Sequence, residues 1–444
     1  MTRHHPTPSR RRLLQGAAGA TGLWLTSPIF ARTQSPGELL NVAAIGVGGM
    51  GAGDLSSVAS HPRARVVALC DVDAGRLESA AQQHPEAKTY ADWRRLLDEL
   101  GDDVDAVTVS TPDHMHGPIA LAAMALGKHV YCQKPIAHNV AECRAMARMA
   151  AEKGLVTQMG TQIHSHSAYR TAVATLRSGV IGKVSEAHLW VSKSWAGPAS
   201  GRPQGEDPVP ETLDWDLWLG VAPERPYKNG HYHPARWRGW RDFGAGTLGD
   251  MGCHIFDPVF SALGIGAPAS VRSEGPAHGA EAFAPDGDIR YTFPGTEFTT
   301  KTLEMRWTDG SASSRPDAAR AQLPEGQSLP GSGSFLVGER GVMVIPHWSA
   351  PRFYVKGEVM EAEVVAMDSR NHYHEWVDAC RGTGETSTPF SYSAPLTEAV
   401  LLGVLAAAQP GQTFDWDASA MRSGNADFDA QVAREYREGW EVGL

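Results

Sequence analysis

From Leu39 onward, short apolar runs alternate with longer stretches in which apolar residues recur every three or four positions. The runs at Leu40–Val47, Ala64–Val72, Asp105–Thr111, His129–Lys134 and Leu155–Met159 predict strands. The stretches between them, Gly49–Ala59, Ala74–Gln83, Ala91–Leu100, Pro118–Leu126 and Val140–Glu152, predict helices. Near-continuous apolar strands separated by helices of that length predict a parallel, doubly wound sheet covered on both faces. After Met159 the alternation stops. A helix over Ala168–Ser178 leads into Val184–Ser194, where period-two patterning predicts a half-buried strand. Strand-like runs follow at Val271–Glu274, Ile289–Phe293, Phe298–Trp307, Ser334–Val337, Gly341–Pro346 and Arg352–Val355, and helices return at Asn371–Arg381 and Thr397–Ala408. Ala196–Pro210 and Asp309–Gly333, rich in Gly, Pro and Ser, predict loops. The expected fold class is α/β, with a doubly wound domain over residues 38–160. A C-terminal α/β domain over 161–444 carries a largely antiparallel, open sheet.

Composition narrows the partners. The 444 residues hold 40 Lys+Arg against 50 Asp+Glu, a net charge of −10 that argues against nucleic acid and anionic membranes. Five Cys without CxxC spacing make neither a disulfide framework nor a zinc ribbon. Thirteen Trp and ten Tyr lean towards a substrate with flat apolar faces, such as a sugar.

The first 31 residues form an address. A basic start precedes a short apolar segment, Leu13 to Leu25, then Pro28 and Ala31, which is too short and Gly-rich to span a membrane. Ser9-Arg10-Arg11-Arg12-Leu13-Leu14-Gln15 resembles the twin-arginine export motif, so a periplasmic location is expected, with no membrane contact after removal. Cleavage after Ala31 leaves 36 basic residues against 50 acidic ones, a net charge of −14. That route carries folded proteins, which suits a cofactor loaded in the cytosol. The unspaced cysteines agree with folding in a reducing compartment.

The first strand runs into Gly46-Val47-Gly48-Gly49-Met50-Gly51, a G-x-G-x-x-G motif between strand and helix. Gly46 allows the tight turn, Gly48 lets backbone approach a pyrophosphate, and Gly51 lets helix pack on sheet. Gly49 and Met50 open the helix, whose N-terminus offers N–H groups to phosphates. Asp71 ends the second strand, twenty residues after Gly51, where a carboxylate accepts ribose hydroxyls and repels a 2′-phosphate. Val72 and Asp73 follow it, with no Arg to receive such a phosphate, so NAD is favoured over NADP. The loop Thr111-Pro112-Asp113-His114-Met115-His116 and the strand end Gln133-Lys134-Pro135 should line the same cleft, with Thr111, Pro112, His116 and Lys134 at the cofactor. A Lys at such an edge costs desolvation unless it is used.

In the second half, GTLGDMGCH places Gly246 and Gly249 in a turn entering a helix, on which Asp250 and His254 share a face. A His whose partner carboxylate fixes its tautomer suits proton transfer near neutral pH. Four His-x-His pairs, His114/His116, His164/His166, His231/His233 and His372/His374, lack neighbouring ligands at metal spacing apart from Glu375, and no metal is expected.

Together, GVGGMG, the CDVD around Asp71, STPDHMHGPIA, QKP and GDMGCH resemble, in order, the Gfo/Idh/MocA (glucose–fructose oxidoreductase, inositol dehydrogenase) family. The resemblance implies a Rossmann domain, a substrate domain whose open sheet supports homo-oligomers, and oxidation or reduction of a secondary alcohol on a sugar or cyclitol with NAD(H) or NADP(H). It implies Lys134, Asp250 and His254 as catalytic residues, with Gln133 where the family usually has Glu. The stretches around His233, Arg238 and His372 resemble an exported subgroup, and these three residues are expected at the substrate. The periplasm offers no expected pool of free dinucleotide, so the cofactor should stay tightly bound and be reset by a second substrate. Two alternatives stand beside this reading: glycoside cleavage through a transient keto-sugar, and a sugar-binding protein without catalysis.

Overall fold

The first strand, Leu40–Ile45 (β1), is buried at five of its six positions because helices cover both of its faces. The computed structural model describes residues 39–311, 323–355 and 357–442. The export segment over residues 1–31 and part of the loop over 309–333 lie outside the described residues.

β1 is followed by α1 (Met50–Ala59), β2 (Ala64–Cys70), α2 (Ala74–Gln83), β3 (Lys88–Tyr90), α3 (Trp93–Leu100) and β4 (Ala106–Val109). Then come α4 (His116–Ala125), β5 (His129–Cys132), α5 (Val140–Lys153) and β6 (Thr157–Met159). The six strands form one parallel sheet in the order β3-β2-β1-β4-β5-β6. The chain turns back between β1 and β4, so the loops leaving their carboxyl ends open a crevice.

The second half begins with α6 (Ser167–Arg177), β7 (Val184–Val191), α7 (Trp215–Leu219) and α8 (Gly246–Leu263). It continues with β8 (Ser270–Ser273), β9 (Gly287–Pro294), β10 (Thr299–Asp309), β11 (Ser332–Gly338), β12 (Gly341–Pro346), β13 (Arg352–Val355) and β14 (Glu358–Val359). It ends with α9 (His372–Cys380), α10 (Phe390–Ala406), β15 (Thr413–Asp415) and α11 (Ala426–Asp429). The nine-stranded sheet runs β14-β13-β12-β11-β7-β10-β9-β8-β15, antiparallel except between β7 and β10. α8 packs on β7, β10 and β11 and against α6 and α10.

The two halves are not cut cleanly at residue 160. α9 returns to the Rossmann sheet, where Trp376, Val377 and Cys380 are buried with Leu40, Val42, Val58, Ala106 and Tyr131. α10 packs on both α5 and α8 and so ties the halves together.

Several buried or half-buried histidines are expected to make this frame acid-sensitive. Burial lowers His116, His129, His278 and His347 to about 4, and His138 and His372 to about 3. The unfolded chain takes up those protons as the pH falls through about 6.5, whereas the native chain does not. Below that pH the unfolded state binds more protons, and stability is lost. Each such His costs about 2 kcal/mol at pH 5. Asp113 and Asp309 act in the opposite sense. Burial raises both to about 7, so their cost is relieved as the pH falls below that value. Asp54, Asp71 and Glu142 are raised as well, and His114 and His254 are held well below the usual value; histidines outnumber carboxyls among the shifted groups, so the denaturation midpoint should drop between pH 6.5 and 5. A midpoint unchanged or rising to pH 5 would contradict this accounting.

Candidate active site

A cavity of about 560 Å³ opens at the crevice between β1 and β4, bounded by both halves of the chain. Its floor is the glycine loop. Gly46 has φ +82, and a Cβ there would lie 2.7 Å from the Ser110 backbone. A Cβ on Gly51 would lie 1.9 Å from the Gly46 carbonyl oxygen, so only glycine lets α1 pack on β1 this closely. Gly48, Gly49 and Met50 line the cavity, and no side chain caps the N-terminus of α1. An uncapped helix N-terminus facing a cavity is a ready anion site, which fits a dinucleotide pyrophosphate.

Asp71 lines the cavity beside this loop. Its Oδ2 accepts from the Val47 N–H at 2.9 Å and its Oδ1 from the Asp73 N–H at 3.0 Å, while burial raises its pKa. No Arg was expected beside Asp71, but one is present. Arg76, from the first turn of α2, also lines the cavity and pairs with Asp73 at 3.5 Å. It lies so close to Gly48 that a Cβ on that glycine would be 2.3 Å from Arg76 Cδ. A cation therefore does stand near Asp71; helix periodicity carries it back to the loop from five residues downstream.

Thr111, Pro112 and His116 line the other wall. The His116 ring lies between two carbonyls, with Nδ1 2.7 Å from Pro135 O and Nε2 2.8 Å from Thr111 O. It braces the Thr111 loop against the end of β5, where Lys134 projects into the cavity.

Lys134 Nζ donates to the Asp250 backbone oxygen and to Asp250 Oδ1, both at 2.8 Å. Asp250 Oδ2 accepts from Lys193 Nζ at 2.6 Å and Trp195 Nε1 at 2.7 Å, and Arg238 Nε reaches Oδ1 at 3.3 Å. Burial opposes charge on Asp250, yet the Lys134, Lys193 and Arg238 cations hold its carboxyl well below the usual carboxylate range. Gly246 and Gly249 belong to the first turn of α8 rather than to a turn before it. Asp250 and His254 follow on that helix as expected, but they do not form a hydrogen-bonded dyad. Asp250 turns to its cations and Trp195, while His254 Nδ1 lies 3.2 Å from Thr161 Oγ1. Desolvation first, then the Lys134 charge, holds the His254 imidazole well below its ordinary pKa and therefore neutral at pH 7.

Gln133 has a clear structural role. Its Nε2 donates to both carboxylate oxygens of buried Asp54, at 3.1 and 2.9 Å, and Asp54 also accepts from Ser110 Oγ and Tyr373 OH. The acid therefore stands on α1 instead of beside Lys134, and the Gln133 amide is complementary to it.

Of the expected substrate residues, Arg238 and His233 line the cavity, the latter 3.1 Å from Asp73 Oδ2. His372 does not. It is buried, with Nδ1 2.9 Å from Ser165 Oγ and Nε2 2.9 Å from Met159 O, and it fastens α9 to β6. The His164/His166 pair divides its work: His164 pairs with Asp257, while His166 caps α6. Among the described residues no group of His, Cys, Asp and Glu is arranged to hold a metal ion. Sequence reasoning missed Lys193 and Trp195, whose available signal was the end of the alternating Val184–Ser194 run, and Thr161, which had none.

Two family models match the chain. Residues 40–161 match the Gfo/Idh/MocA oxidoreductase family's NAD-binding Rossmann fold, and residues 180–301 match its C-terminal α/β domain. Levoglucosan dehydrogenase of Pseudarthrobacter phenanthrenivorans is 25% identical over 49% of this chain and 50% of its own length. Inositol 2-dehydrogenase 1 of Saccharopolyspora erythraea is 36% identical over 32% of this chain and 43% of its own. The chain thus spans about half the length of the curated relatives it matches. In fold it is similar to the WlbA dehydrogenase of Bordetella pertussis solved with NADH and UDP-GlcNAcA, with a TM-score of 0.60 and 16% identity over 86% of this chain and 99% of the other. It is also similar to the aldose–aldose oxidoreductase of Caulobacter crescentus, with a TM-score of 0.56 and 19% identity over 85% and 100%. The glycine cradle, the Lys134 strand end and the two matched domains make this chain a member of the Gfo/Idh/MocA family of NAD-binding oxidoreductases.

Proposed function

We propose that the protein is a periplasmic NAD-dependent oxidoreductase of a secondary hydroxyl on a sugar, glycoside or cyclitol, with a firmly retained cofactor. One observation carries this reading: Lys134, neutral His254 and the dinucleotide cradle share one cavity. The relatives named levoglucosan dehydrogenase and inositol 2-dehydrogenase support a substrate of that kind. The SRRRLLQ motif supports export, and export favours a cofactor that does not leave.

Gly48 to Gly51 and Asp71 would hold the dinucleotide, which supplies the hydride acceptor when bound. His254 takes the hydroxyl proton as a neutral base, kept in position by Thr161 Oγ1. Lys134 donates a hydrogen bond to the same oxygen and steadies the developing alkoxide. Asp250 positions Lys134 through its carboxylate and its backbone oxygen. The reading is tested by mixing the protein with a panel of sugars and cyclitols and following reduced nicotinamide. No oxidation of any member by NAD-loaded protein would reject it.

Two further results are expected. Asp71→Ala should raise NADP affinity relative to NAD by about tenfold or more, since the charged acceptor is lost while Arg76 remains; an unchanged ratio in binding titrations would contradict the selectivity. Replacing Arg10 and Arg11 by Lys should leave folded protein in the cytosol. Its appearance in the periplasm would reject the twin-arginine route.

A further inference from the structure

Charge does not balance where Asp250 meets its partners. Lys134 Nζ and Lys193 Nζ lie 2.8 and 2.6 Å from its carboxylate, and Arg238 Nε lies 3.3 Å away. One carboxylate faces three cations. The remaining acid at this end of the cavity is Asp113, which is buried, pushed up to about 7, and accepts from the Ala245 N–H. Even fully ionised, it leaves one positive charge over. Asp71 and Arg76, the remaining charged residues lining the cavity, both lie at the glycine loop, where Arg76 pairs with Asp73. An oxidised nicotinamide is itself cationic, so the reacting end of the cofactor does not supply the missing anion.

The cations also have hydrogen-bonding capacity in hand. Lys193 Nζ has three donors, of which Asp250 Oδ2 uses one, and its side chain is 44% exposed. Arg238 uses Nε on Asp250 and Nη1 on Ala235 O, and among the described residues its Nη2 has no protein partner. Aromatic rings hold both in place. The Arg238 guanidinium lies 4.1 Å from the Trp237 ring centre, and Lys193 Nζ lies 4.9 Å from that of Trp195. Pre-positioned cations with unused donors beside a catalytic centre are how a protein recognises an oxyanion.

We infer that the substrate carries an anionic oxyacid group, a carboxylate, sulfate or phosphate on the sugar, and that Lys193 and Arg238 select it. The inference rests on reading the cavity as a sugar oxidoreductase site, and it names the substrate class for that site.

The test is calorimetric titration of the full-length, NAD-loaded protein. Methyl glycosides, methyl uronides, sugar 6-sulfates and sugar 6-phosphates of the gluco and galacto series are the probes. One anionic class should bind at least tenfold tighter than its neutral parent, and the class that wins identifies the group. Lys193→Met and Arg238→Gln should each lower that ratio by about tenfold, and Lys193→Arg should keep most of it. Neutral parents binding as tightly as all three anionic classes would overturn the inference. So would a Lys193→Met variant that weakens NAD binding and leaves the ratio intact, because the cations would then serve the cofactor. Turnover separates the two claims. An anionic sugar that binds tightly but is not oxidised supports this inference and rejects the oxidoreductase reading. Oxidation of neutral sugars without anionic preference rejects this inference alone.

Discussion

Replacing His254 by Ala is expected to lower turnover by about 10²–10⁴-fold, the usual worth of a positioned general base, while dinucleotide affinity stays within a few-fold. The imidazole is half-buried in the cavity wall, has Thr161 Oγ1 as its hydrogen-bond partner, and is kept neutral by desolvation and by the Lys134 charge. Its depressed pKa sets the sign of the pH dependence. The free base persists as the pH falls through 6.5, so the oxidation rate should hold in mildly acidic solution and fail only well below that value. The wild-type pH profile and the variant's turnover are read with the same substrate. Near-normal turnover of His254→Ala would leave proton removal to Lys134 or to another group in the cavity.

Gly51→Ala should lower dinucleotide affinity by more than about 100-fold and stability by about 1–3 kcal/mol, the range for forced overpacking. The new Cβ would sit 1.9 Å from the Gly46 carbonyl oxygen and 2.8 Å from its carbon, both backbone atoms that cannot swing aside. α1 would have to withdraw from β1, carrying its uncapped N-terminus away from the phosphates. Gly53, two residues further along the same helix, provides the control. A Cβ there meets only Met50 Cε at 3.9 Å, so Gly53→Ala should bind NAD normally and be neutral or stabilising. NAD titration and thermal unfolding of the pair decide the matter, and normal binding by Gly51→Ala would show that the loop does not form the cradle.

The Rossmann half was legible from sequence because its signals are local. Apolar runs, helix periods and the glycine motif each lie within about ten residues, and the strand and helix limits fall close to those expected. The three-residue β3 escaped notice because Lys88 and Thr89 are exposed and carry no apolar pattern. The start of α10 at Phe390 was hidden by Pro395, which reads as a helix breaker but lies inside the helix. The parallel pairing of β7 with β10 is set by long-range register and left no local mark.

At the site the same division holds. Lys134, His254 and the glycine loop announced themselves through motif and spacing. Their partners did not. Asp250 was assigned to His254 because helix spacing puts both on one face, yet Lys193 and Trp195, more than fifty residues away, claim its Oδ2. Cations within hydrogen-bonding reach outweigh a neutral imidazole for a buried carboxylate. His372 seemed a substrate residue from its resemblance to a subgroup motif, whereas burial makes it a clasp between α9 and β6.

The proposed oxidation of a sugar hydroxyl depends on a nicotinamide dinucleotide held in the cavity. Mass spectrometry of ligand released on denaturing protein purified without added cofactor tests this. NAD or NADH is expected at close to one molecule per chain. Protein that yields no dinucleotide, and takes up none when NAD is supplied, would contradict it.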